Sequence, residues 1–96
     1  MSYKVKLLYT KPNAEVSIHT APEGLTNLID TMFDAGKITQ KPVKTIDGLN
    51  ETFEIIFANK AAFDEWGDNA VVKDNYVTRL EHCNANSISY SIETEV

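Results

Sequence analysis

The chain has 96 residues, of which 43% are hydrophobic and 24% charged, and its formal net charge is −5. This length predicts one domain, 1–96, with a modest core that buries somewhat over ~60% of the surface its unfolded chain exposes. Apolar runs of only a few residues exclude a membrane-spanning helix, the start MSYKVKLLYTK holds no signal-peptide core, and the acidic balance opposes nucleic acid and anionic membranes as partners.

Tyr3, Val5, Leu7 and Tyr9 alternate with Lys4, Lys6, Leu8 and Thr10, a period of two that predicts a half-buried strand. Lys11-Pro12-Asn13-Ala14 follows as a turn, because proline pre-sets the second position and asparagine tolerates the third. Val16 and Ile18 then alternate with Glu15, Ser17 and His19. They predict a second arm that pairs back as a hairpin or continues irregularly, and the expected fold includes it as an extra strand.

Thr20-Ala21-Pro22-Glu23 has capping-box spacing. Leu25, Leu28, Ile29, Met32 and Phe33 then recur at i, i+3, i+4, i+7 and i+8, one face of an amphipathic helix. Gly36 is placed to end that helix in a left-handed conformation, with Lys37 near the negative end of its dipole.

A strand is predicted over Ile38 to Ile46, with Pro42 implying an edge position or an irregularity. Asp47-Gly48 signals a hairpin turn, and Leu49 and Asn50 suggest a longer loop. Phe53, Ile55 and Phe57 alternate with Thr52, Glu54 and Ile56 in the return strand. Asn59 is a helix N-cap candidate for a short helix, Lys60 to Trp66, with Ala62, Phe63 and Trp66 on one side.

Gly67-Asp68-Asn69 predicts an interruption, after which Asp68 or Asn69 caps a second helical stretch. Val72, Tyr76, Leu80 and Cys83, with Val77 beside them, form one face of it. Asn84-Ala85-Asn86 reads as a turn. The last strand, Ser87 to Val96, turns Ile88, Tyr90, Ile92 and Val96 one way and its serines and glutamates the other.

Without the hairpin arm the order is β-α-β-β-α-β. That predicts an α+β, ferredoxin-like sandwich with an antiparallel sheet and helices on one face. The opposite face would show Lys4, Lys6, Glu54, Ser87, Ser89 and Ser91, with only Leu8 and Ile56 apolar.

The stretches "FANKAAFDEW" and "VTRLEHCNANSISYSI", with this layout, resemble the dimeric α+β barrel superfamily, particularly antibiotic-biosynthesis-monooxygenase-like domains. The resemblance covers most of the chain. It implies a homodimer whose two sheets face each other, and a ligand pocket between sheet and helices. Some members of the family oxidise polycyclic substrates without a cofactor, and others degrade haem. Trp66 and His82 are the candidates for the tryptophan and histidine of a haem-degrading pocket, but their spacing and setting do not match it closely and Lys6 and Leu8 stand in the first strand in place of its asparagine, so haem chemistry is not carried over.

Chemistry-bearing groups are few. His82, His19 and Tyr76 are the candidates for catalysis, with either histidine as a base. Phe33, Phe57, Phe63, Trp66 and Tyr90 are the candidates for lining an aromatic pocket. Cys83 reads as a small buried hydrophobe, and Arg79, the sole arginine, as a helix-surface residue. Asp64, Glu65 and Asp68 read as a solvated acidic face with no calcium-loop pattern, and no metal or other cofactor is expected.

Two functions are consistent with this inventory. In the first, a non-catalytic cytoplasmic module docks a protein partner, either a basic one through residues 49–96, which carry nine acidic and three basic side chains, or one that adds to a free sheet edge. That reading expects a filled interior. In the second, a monooxygenase-like enzyme or small-ligand binder holds its ligand between helices and sheet, in a cavity of a few hundred Å³.

Overall fold

A computed structural model describes residues 2–18 and 20–95. The described residues form β1 (Tyr3–Thr10), α1 (Glu23–Asp34), β2 (Ile38–Asp47), β3 (Asn50–Phe57), α2 (Lys60–Asp68), α3 (Ala70–Ala85) and β4 (Ser89–Glu95). The four strands make one antiparallel sheet in the order β2-β3-β1-β4. This is the expected α+β, ferredoxin-like arrangement.

Among the described residues the hairpin arm is absent. Val16 and Ile18 lie in irregular chain, although both pack against the small cluster of Tyr9, Cys83 and Ile88. The reason is positional. β1 is hydrogen-bonded to β3 along one side and to β4 along the other, so it has no free edge for a third partner. Their alternation buries side chains without a strand ladder.

The helix ends follow local chemistry. α1 begins at Glu23 with Pro22 as its N-cap, and no side chain caps it, so the capping box from Thr20 does not form. At the other end Gly36 is left-handed, with φ 78°. Lys37 N–H donates to the Met32 carbonyl and Gly36 N–H to that of Phe33, the paired bonds of a Schellman motif. Asn59 caps α2 by accepting from the Ala62 N–H at 2.9 Å. α2 continues through Gly67 to Asp68, and the break falls at Asn69, which accepts from the Val71 N–H to start α3.

α3 runs through the expected turn to Ala85. It ends on Ser87, which takes φ 57° so that the Ile88 N–H can reach the Cys83 carbonyl at 2.9 Å. Ser87 therefore precedes β4 and does not sit on the outer sheet face. Val96, expected to point inward, lies outside the described residues.

β2 is an edge strand, and its register slips on both sides of Gln40, in the stretch that contains Pro42. Only Gly48 and Leu49 separate β2 from β3, a tighter link than expected, made possible by φ 60° at Gly48.

The sheet has two unlike faces. Outward, Lys6 stands between Glu54 and Glu93 in the register, and Lys4 lies 3.9 Å from Glu95. Inward, Tyr3, Val5, Ile55 and Phe57 join Met32 of α1, Ile38 of β2 and Ala62 of α2 in the main core.

The two left-handed helix ends predict opposite responses. Gly36→Ala adds a Cβ that meets nothing within 4 Å, so its cost is conformational, about 1 kcal/mol. Ser87→Gly relieves the same strain and stabilises by roughly 0.5–1 kcal/mol. Thermal melts check both, each kcal/mol moving Tm by ~4–8 °C.

Candidate ligand-binding site

The helices do not cover the inward sheet face evenly. Over Phe57, at the β1–β3 half, the covering is complete. Over β4 it is open: Ile92 pairs with Leu7 and so faces the helices, yet 49% of its surface is exposed. α3 has Cys83 buried at its C-terminal end, while Tyr76 and Val77 near its middle are exposed. A cavity of about 690 Å³ lies between.

Its floor is Val5, Leu7, Tyr9, Ile55, Phe57 and Tyr90, and its walls are Leu25 and Ile29 of α1, Phe63 and Trp66 of α2, and Val72, Tyr76 and Arg79 of α3. The wall on α2 is aromatic because the rings support one another. Phe57 meets Phe63 edge-on with centroids 5.4 Å apart and Trp66 at 5.9 Å, and Phe63 lies 4.9 Å from Tyr3. Trp66 is half-buried, so it both closes the core and lines the cavity.

The end toward β4 is polar. Tyr9 and Tyr90 stack at 5.0 Å, and the Arg79 guanidinium sits 4.8 Å over the Tyr90 ring and 5.4 Å from that of Tyr76. Burial pushes the Tyr9 hydroxyl up to about 12, against the opposing pull of the Arg79 charge. Burial raises Tyr90 as well, again opposed by Arg79. Both phenols are therefore neutral at ordinary pH and can donate hydrogen bonds. The Tyr90 hydroxyl and Arg79 Nε are buried with no hydrogen-bond partner among the described residues. Burial likewise raises the Cys83 thiol, keeping it a thiol and a poor nucleophile.

A second cluster lies at the other end of β3. Glu51 is almost fully buried, with Lys44 Nζ 3.0 Å from one carboxylate oxygen and Lys11 Nζ 3.2 Å from the other. Burial pushes its carboxyl up, but the hydrogen bonds and charges of Lys44 and Lys11 outweigh it, and the net shift is downward. This cluster lines a separate cavity of about 420 Å³ with Ser17, Ile18 and Phe53.

Of the residues singled out in the sequence, Phe57, Phe63, Trp66, Tyr76 and Tyr90 converge on the larger cavity. Phe33 does not line it: its ring is 40% exposed and carries the Lys41 ammonium 4.9 Å above it. His82 stands elsewhere too, donating its Nε2–H to the Ser17 carbonyl at 2.7 Å and so tying residues 12–18 to the end of α3. His19 lies outside the described residues.

Asp64 pairs with Lys60 at 3.1 Å and Glu65 with Lys37 at 2.9 Å, at the surface. Among the described residues no group of His, Cys, Asp or Glu could hold a metal ion, and no helix is long and apolar enough to cross a membrane. The sequence reading missed Glu51, the buried Asn75, and the half-buried position of Arg79, which is not a surface residue. The one available signal was the isolation of Arg79 on a helix whose neighbours one turn away are Tyr76 and Cys83.

No family model matches the chain, and no curated protein does. Two solved structures resemble it over nearly its whole length. Rv0793 from Mycobacterium tuberculosis is 12% identical, covers 98% of this chain and 93% of its own, and superposes with a TM-score of 0.56. SO0527 from Shewanella oneidensis is 19% identical, with 97% and 88% covered and a TM-score of 0.51. At these identities the likeness is one of fold.

The Glu51 cluster makes a pH-dependent prediction. Glu51→Gln strands Lys11 under cover and destabilises by about 2 kcal/mol, less than a fully buried pair because Lys44 can turn to water. A carboxyl lowered on folding binds fewer protons in the native state than in the unfolded one. Its stabilisation is therefore present above the ordinary value of 4.5 and fades as pH falls through the lower, folded value. Urea titrations of both proteins should differ constantly from pH 7 to about 5 and converge below about 4.5.

Proposed function

We propose that this domain binds a small, largely apolar or aromatic molecule between the inward sheet face and α1, α2 and α3. The observation that carries the reading is the cavity of about 690 Å³, a size at which drug-sized ligands are enclosed. Its Phe57, Phe63 and Trp66 wall offers flat apolar surface, and the Tyr9, Tyr90 and Arg79 end offers the few polar groups that orient a ligand. The resemblance to antibiotic-biosynthesis-monooxygenase-like domains, which hold ligands between sheet and helices, points the same way, and the two fold neighbours are compatible with it.

The other function read from the sequence, docking a partner through the acidic half or a sheet edge, expects a filled interior, which the cavity opposes. Among the lining residues no nucleophile stands beside a base, so the proposal is binding and names no reaction.

The uncharged dye N-phenyl-1-naphthylamine tests this. It should bind one per chain with enhanced emission and quench Trp66. Ile29→Trp with Val72→Trp narrows the cavity from α1 and α3, and should weaken binding by at least tenfold while leaving a cooperative melt. Undiminished binding in that folded variant, or none by the native chain, contradicts the proposal.

A further inference from the structure

On the ligand-binding reading above, we infer that the ligand carries an oxyanion, a carboxylate or a phenolate, and that Arg79 and Tyr90 receive it at the β4 end of the cavity while its apolar body lies against Phe63 and Trp66.

The first ground is the state of the donors. Arg79 Nε is a donor and nothing else, and it is buried with no acceptor among the described residues. Buried polar groups are bonded in the great majority of cases, so an orphaned one calls for an explanation. A second orphan, the Tyr90 hydroxyl, belongs to the ring that the guanidinium covers at 4.8 Å. Two orphaned groups that meet at one arginine fit one acceptor placed between them.

The second ground is charge. The protein as a whole is acidic, at −5. The cavity lining reverses this sign, with Lys41, Lys73 and Arg79 against Asp30 alone. Asp30 is already held by Lys41 at 2.9 Å, and among the described residues no carboxylate forms an ion pair with Arg79. One side of the guanidinium is hydrogen-bonded to the Tyr9 hydroxyl, but its charge meets no carboxylate among the described residues, so in a largely apolar cleft it favours an anion over an uncharged ligand, which would leave Nε unbonded and the charge uncompensated.

The third ground is rigidity. Arg79 lies over the Tyr90 ring and beside that of Tyr76, so its planar fork is held in place before any ligand arrives. The Lys11–Glu51–Lys44 cluster lacks this character: Glu51 Oε1 has no well-aligned hydrogen bond, but the Lys44 ammonium 3.0 Å away and Lys11 on the other oxygen balance its charge.

A matched pair of dyes separates this inference from the one beneath it. 8-Anilinonaphthalene-1-sulfonate has the same aromatic skeleton as N-phenyl-1-naphthylamine with a sulfonate added. The native chain should bind the sulfonate about tenfold to a hundredfold more tightly, the range expected of a charge-assisted hydrogen bond. Arg79→Met, which keeps the aliphatic stem, should abolish that preference, bringing the two dyes' affinities within a few-fold of each other. Arg79→Lys should restore part of it. Tyr90→Phe keeps the ring, should cut the preference several-fold, and serves if the arginine variants do not fold.

Equal affinity for the two dyes, or a preference that survives both Arg79→Met and Tyr90→Phe, overturns the inference and leaves the binding proposal standing. Failure of both dyes to bind the native chain removes both.

Discussion

Every apolar side chain that β1 turns inward has to be covered, and β1 cannot choose its neighbours. Both of its edges are occupied, so Tyr3, Val5, Leu7 and Tyr9 are fixed beneath the helices by the ladders to β3 and β4. The period of two then decides everything on that face. Phe53, Ile55 and Phe57 join from β3, and Tyr90 and Ile92 from β4. The covering elements are unequal to the area. α1 and α2 close over the β3 side, and α3 meets β4 at Tyr90 through Arg79 and leaves Ile92 half exposed. The cavity is what remains of an inward face larger than its roof.

This explains why so much of the architecture, and little of the site, could be read along the chain. Several signals that act within a few residues held, although the Thr20 capping box does not form and α2 runs on through Gly67. Gly36 is left-handed where the helical stripe ends, Asn59 and Asn69 cap as their side chains allow, and the register of β2 slips in the stretch that holds Pro42. Signals that depend on distant occupancy did not. Val16 and Ile18 alternate as a strand would, but whether an edge is free is decided by β4, some seventy residues later. Phe33 belongs to the α1 stripe by spacing, yet lies at its border and meets Lys41 in place of the cavity. Arg79 looks like a surface cation until β4 brings Tyr90 beneath it.

The two buried charged sites show the difference between structure and readiness. Glu51 has a lysine on each oxygen and stabilises one end of the β2–β3 hairpin. Arg79 has aromatic faces and the Tyr9 hydroxyl but no carboxylate among the described residues, and its Nε is left without an acceptor in the empty fold. That contrast ties the cavity's shape to its proposed ligand. The apolar wall supplies affinity for a ring system, and Arg79 supplies orientation.

The central claim is that the sheet's inward face is incompletely roofed between α3 and β4. Dissolved xenon reports this directly, because the gas enters apolar spaces and shifts only the methyl signals that line them. With assigned methyl spectra, the account predicts saturable shifts at Leu7, Ile29, Val72 and Ile92, and none at Ile38, which is buried in the main core. No response at the first four, with α3 packed down on β4, would contradict it.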